Sequence, residues 1–134
     1  MKCFYKVALV ALVLFGFIAC GNGYNSPEAC AEAVMQYIVD GEADKAIEMM
    51  RDRDGKPIEG QSKATVNSKI PMMTARYKTA GKIKSIKAKE TIYNDEKTKA
   101  KVIVQVEFEN GKFDGDGTDW VVALIDGKWY VQVQ

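Results

Sequence analysis

The chain has no histidine. That removes the commonest general base and the commonest metal ligand. Zinc sites and Ser-His-Asp or Cys-His catalysis go with it. Cysteine is scarce: the chain has three, Cys3, Cys20 and Cys30. Neither sign of charge dominates, the formal net charge being +1 over 134 residues. The apolar run Val7–Ile18 is too short to cross a bilayer comfortably, since a spanning helix needs about 20 residues.

That run is nonetheless placed with purpose. Met1 to Lys6 carries two lysines and no acid, and Val7–Ile18 carries no charge. A basic start followed by an apolar stretch of this length reads as a signal peptide. Phe17-Ile18-Ala19-Cys20 then resembles a bacterial lipobox, with Phe17 standing where Leu is commoner. The resemblance implies cleavage before Cys20, a diacylglycerol thioether on its sulfur and an acyl chain on its new amino group. Several acyl chains anchor stably where one would not. Gly21 follows where inner-membrane retention resembles Asp, which by analogy favours the outer membrane, facing the periplasm. The expected division is residues 1–19 as signal peptide, 20–25 as lipidated Cys20 and a short tether, and 26–134 as one domain.

Removal of Lys2 and Lys6 with the signal takes the net charge from +1 to −1. A domain of this size buries roughly two-thirds of its unfolded surface. Cys3 is discarded and Cys20 is modified, so Cys30 has no partner for a disulfide and reads as a small core residue. Residues 61–101 hold 11 basic and 3 acidic groups. Lys87, Lys89, Lys99 and Lys101 of that stretch are a candidate face for an anionic partner. Nucleic acid is not expected in the compartment the signal implies.

Ser26-Pro27-Glu28 predicts a helix start: a capping hydroxyl, a proline that fits the first turn, and an acid at the positive end of the dipole. Cys30, Ala33, Val34, Tyr37 and Ile38 share a face at helical spacing, and Gly41 ends the helix. A second helix is predicted over about Glu42–Arg51 with Ala43, Ala46, Ile47 and Met50 inward. Asp52–Gly60 reads as a loop. A third helix is predicted over about Ser62–Ala80 on the stripe Val66, Ile70, Met73, Tyr77 and Ala80, with a kink or break at Pro71.

From Ile83 the period becomes two. Ala100, Val102, Val104, Val106 and Phe108 form one buried strand face. Ile86, Ala88 and Ile92 are the inward set of the strand before it; Ile92 opposite Ala100 and Ala88 opposite Val104 needs an odd-length turn, such as Asn94 to Thr98, or a bulge. Asn110-Gly111 and Asp126-Gly127 read as hairpin turns. The second pairs Leu124 with Trp129, Val122 with Val131 and Trp120 with Val133. The first puts Phe113 inward, out of phase with Trp120, so a bulge or break is expected within Asp114–Gly117. The fold class is α+β: three N-terminal helices followed by a four-stranded antiparallel meander.

Tyr37-Ile38-Val39-Asp40-Gly41-Glu42-Ala43-Asp44-Lys45-Ala46 resembles a helix corner of nuclear transport factor 2-like domains. Val102 to Val133, with Asp126-Gly127-Lys128-Trp129, resembles the sheet half of the same superfamily. The chain is similar to small bacterial lipoproteins that carry such a domain. The resemblance implies a cone, in which the strongly curved sheet wraps against the helices around a cavity. In that cone Tyr37, Met50, Met73, Tyr77, Trp120 and Trp129 are the candidate pocket lining, since Met adapts to irregular ligands and Trp offers a polar edge.

Enzymes of the superfamily use an acid, a tyrosine or a histidine in the cavity. Without histidine only a carboxylate-and-tyrosine isomerase or lyase remains. Asp114-Gly115-Asp116-Gly117-Thr118-Asp119 fails as a calcium loop, because Asp119 and Ile125 occupy the places that want Gly and Glu. The expectation is therefore a lipid-anchored envelope protein without catalytic residues, metal or cofactor. It would be held to the membrane through lipid on Cys20, with a small apolar ligand in the cone or an envelope protein on the sheet as partner. The alternatives are the isomerase or lyase, and a subunit of an envelope assembly.

Overall fold

A computed structural model describes residues 22–133. The expected signal peptide and Cys20 lie outside the described residues. The chain runs through helix α1 (Pro27–Val39), helix α2 (Ala43–Glu48), strand β1 (Met50–Arg51), helix α3 (Gly60–Ala80), and strands β2 (Ile83–Tyr93), β3 (Lys99–Phe108), β4 (Thr118–Ile125) and β5 (Lys128–Gln132). One mixed sheet has the order β1-β5-β4-β3-β2.

The α+β class holds, and β2 to β5 form an antiparallel meander. Two details differ from the sequence reading. The sheet has five strands, because Met50 and Arg51 pair in parallel with Val131 and Gln132. This short strand also separates the third helix from the first two. Met50 was expected on a helix face. Instead α2 stops at Glu48, and the Val131 N–H donates to the Met49 carbonyl at 2.9 Å. A long-range ladder here outweighs two residues of helical propensity.

Helix α1 crosses the inner face of the sheet. Ser26 caps it, its hydroxyl accepting from the Ala29 N–H at 3.0 Å. Cys30, Ala31, Val34, Met35, Ile38 and Val39 are buried, whereas Ala33 and Tyr37 are only half-buried. Opposite them lies the β3 stripe Ala100, Val102, Val104, Val106 and Phe108, all buried. Each buried valine contributes roughly 2 kcal/mol. A one-residue slip would turn the stripe to solvent, so these residues set the register.

The β2–β3 pairing keeps the expected Ala88↔Val104. A bulge between Ala88 and Glu90 then shifts the ladder by one, so Thr91 faces Val102 and Tyr93 faces Ala100. Ile92 pairs with Lys101 instead of Ala100 and turns outward, 47% exposed. The backbone N–H of Ala88 at the bulge is held by Glu32 of α1, whose Oε2 accepts at 2.7 Å.

Val122↔Val131 and Leu124↔Trp129 form across Asp126-Gly127 as expected, both turn residues at positive φ. Val133 lies beyond β5, so Trp120↔Val133 is not a strand pair. At Asn110-Gly111 the turn holds one residue more. The Phe108 N–H donates to the Lys112 carbonyl, Glu107 bridges Phe113, and Phe113 points out, 52% exposed. The break within Asp114–Gly117 is present. Asp114 Oδ1 replaces a backbone acceptor for the Val106 N–H at 2.9 Å. Gly117 passes so close to β3 that a Cβ would sit 2.7 Å from the Val104 carbonyl oxygen.

Helix α3 runs unbroken through Pro71, so of the kink or break expected near Lys69-Ile70 the break does not occur. Thr74 Oγ1, one turn on, lies 2.5 Å from the Ile38 carbonyl of α1 and pins the helix there. Only Ile70, Thr74 and Tyr77 of α3 are buried. Among the described residues no helix is long and apolar enough to cross a membrane.

Candidate functional site: a groove under the third helix

From Gly60 to Lys69 only Val66 of α3 is even half-buried. This arm overhangs the sheet without closing on it. The space beneath is a groove of about 430 Å³, open along one side. Val66, Ile70 and Met73 form its roof. Ile38, Met50, Trp120, Val131 and Val133 form the floor and end. Gln61, Ser62, Thr65, Lys69 and Asp119 bring exposed polar side chains to its edges, whereas Gln132 is buried and donates to the Arg53 carbonyl. The walls are therefore apolar and the edges polar. The volume falls in the range of small-molecule sites.

Of the six expected lining residues, the groove gathers Met50, Met73 and Trp120. Tyr37, Tyr77 and Trp129 lie elsewhere. Tyr37 is half-buried near Lys45, whose Nζ sits 5.8 Å from its ring centroid. Trp129 packs edge-on to Tyr93 at 6.3 Å. Residues Val66 and Ile70 were read as a core stripe, since helical spacing cannot tell a packed face from one that roofs a groove. Val131 and Val133 were expected to face inward, but a groove beside them was hidden, because that edge of the sheet depends on β1. The Trp120 indole Nε1 is sealed from solvent and has no hydrogen-bond partner. An unsatisfied buried donor costs about 1–3 kcal/mol, and it lies in the residue at the groove floor.

The pair an isomerase would need does occur. Tyr77 donates to Asp114 Oδ2 at 2.7 Å, and burial followed by this hydrogen bond raises the Tyr77 pKa above its ordinary value. Both Asp114 oxygens are engaged, however, one by Tyr77 and one by the Val106 N–H. The pair stands apart from the groove and ties α3 to the β3–β4 connection.

Lys87, Lys89, Lys99 and Lys101 are all exposed, as expected of a solvated face. They do not form one patch. Lys89 is the bulge residue. Lys87 stands opposite Gln105, four residues and about 13 Å along β3 from Lys101. Acids interleave: Lys101 lies 3.9 Å from Asp119, an exposed pair worth little. Cys30 is fully buried, and desolvation pushes its thiol up to about 12. It is core, not a nucleophile. Among the described residues no group of acids and thiols has the makings of a metal site.

The family described as "Domain of unknown function (DUF4878)" matches residues 18–132. The chain belongs to that family. No curated protein matches this DUF4878 chain. A crystal structure from Campylobacter jejuni, of a protein provisionally named an NTF2-like transpeptidase, is similar to it. The TM-score is 0.65 at 22% identity, over 81% of this chain and 98% of that one. At that identity the likeness shows the fold alone: the DUF4878 domain here has a nuclear transport factor 2-like fold.

Proposed function

We propose that this DUF4878 protein is a lipid-anchored envelope protein that holds a small amphipathic molecule in the groove under α3, without transforming it. The lipobox-like Phe17-Ile18-Ala19-Cys20 supports the anchor and, with Gly21, a place on the outer membrane facing the periplasm. The groove carries the binding reading. It joins apolar walls, flexible Met50 and Met73, and polar rims in a space of about 430 Å³. That combination suits a ligand with an apolar body and a polar end. Asp119, the carboxylate in the groove lining, is exposed beside Lys101, and the engaged Asp114 is poorly placed as a base. The transpeptidation named for the Campylobacter jejuni protein would need an accessible nucleophile, which buried Cys30 is not.

The test uses an apolar fluorescent anion, anilinonaphthalene sulfonate, on the purified protein. It should bind saturably at one site. Val66→Arg places a charged side chain in the roof and should weaken binding about tenfold, near 1.4 kcal/mol, while circular dichroism stays unchanged. Equal binding by the variant would remove the groove from the reading. Native mass spectrometry of protein taken from membranes then asks whether a small molecule travels with it.

A further inference from the structure

The part of the expected tether that the structure describes is not a free linker. Asn22–Tyr24 form a 3-10 turn folded onto the domain. A Cβ on Gly23 would meet Met49 Cε at 2.7 Å and the Ala33 Cβ at 3.0 Å, so the turn lies directly against α1 and Met49. The turn delivers Tyr24 to Tyr130 of β5, ring centroids 5.2 Å apart at 58°. Lys128 Nζ lies 5.4 Å from the Tyr24 centroid, and Arg51 Cζ lies 4.0 Å from that of Tyr130. Two half-buried tyrosines and two cations thus share the edge of the sheet where the described chain begins.

We infer that this edge, Tyr24 and Tyr130 with Arg51 and Lys128, is a seat on the surface of the anchoring membrane. The inference rests on the lipid anchor proposed above. Two peptide units join Cys20 to Asn22 and span at most about 7 Å. A lipidated Cys20 therefore leaves the Asn22–Tyr24 turn no room to stand away from the headgroups. What meets them is chemically suited. Tyrosine sits at membrane interfaces with its ring in the apolar margin and its hydroxyl in water. Arg and Lys reach headgroup phosphates from a flexible stem. Glu48, whose charge acts on Tyr24, and Asp126 in the adjoining turn oppose part of that attraction. Anionic lipid should therefore strengthen the seat modestly.

The test uses the mature lipidated protein in vesicles of phosphatidylcholine and phosphatidylglycerol, four to one. Nitroxide labels are placed by Glu48→Cys, beside the patch, and by Glu109→Cys, in the turn after β3. Both positions are exposed, and buried Cys30 takes no label. Collision with a water-soluble nickel chelate should be several-fold lower at 48 than at 109. Tyr24→Ser combined with Lys128→Glu should abolish the difference while the protein stays on the vesicles. Equal collision at both sites of the unaltered patch, with mass spectrometry showing lipid on Cys20, overturns the seat and leaves the anchor standing. An unmodified Cys20 overturns anchor and seat together.

Discussion

Cys30 shows what burial does to one titratable atom. Its side chain touches no water, and desolvation raises its thiol from an ordinary 9.0 to about 12. The unfolded chain loses this proton near pH 9, whereas the folded chain keeps it. Stability from this group is therefore complete below pH 9 and is lost as pH rises toward 12. Three units correspond to at most about 4 kcal/mol. Urea unfolding of the native protein should weaken across that window by more than that of Cys30→Ala, which has nothing there to ionise. Parallel pH profiles would show that Cys30 reaches solvent in the folded state. Cys30 was legible as core from its place at helical spacing. Tyr37 and Met35 were not sorted correctly, because adjacent positions on a helix flank share the inward face and only the packed sheet decides between them.

Between elements, one hydrogen bond does more than its size suggests. The β2 bulge frees the Ala88 N–H, and Glu32 of α1 supplies its acceptor at 2.7 Å. Hydrogen bonds to charged groups contribute about 1.5–3 kcal/mol, and an orphaned partner adds to the loss. Glu32→Ala should thus lower the urea midpoint by an amount near 2 kcal/mol, with the slope of the transition unchanged. The register called for a bulge or an odd-length turn, but the place of the bulge was illegible. An extra residue in a strand has no composition of its own, and Lys89 looks like any outward lysine. The sequence pattern did expose the β3 stripe and the Asp126-Gly127 pairing, because there side-chain period and turn chemistry agree. Strand β1 was hidden for the opposite reason. Two residues carry no period, and Met50 suited a helix face equally well.

Over the whole molecule, order should be graded from sheet to arm. The meander is continuous from β2 to β5, and β3 buries every second residue. The first ten residues of α3 have one half-buried side chain among them. Amide exchange should be slowest in β3 and fastest, among regular elements, from Gly60 to Lys69. Saturating the groove with anilinonaphthalene sulfonate should slow exchange in that arm and leave β3 unchanged. Protection of the arm equal to β3 without ligand would mean that α3 closes on the sheet more tightly than its contacts provide. The fold class was legible from helices followed by a period-two half. The groove was not, since it arises from where a helix fails to touch.

The parallel pairing of Met50 and Arg51 with Val131 and Gln132 also orders events in time. A ribbon that joins position 50 to position 131 cannot zip until the intervening eighty-odd residues have arrived. During synthesis α1 and α2 emerge long before this edge of the sheet can pair. Until the final strand has been made, Met50 and Arg51 lack the neighbour that completes their edge of the sheet.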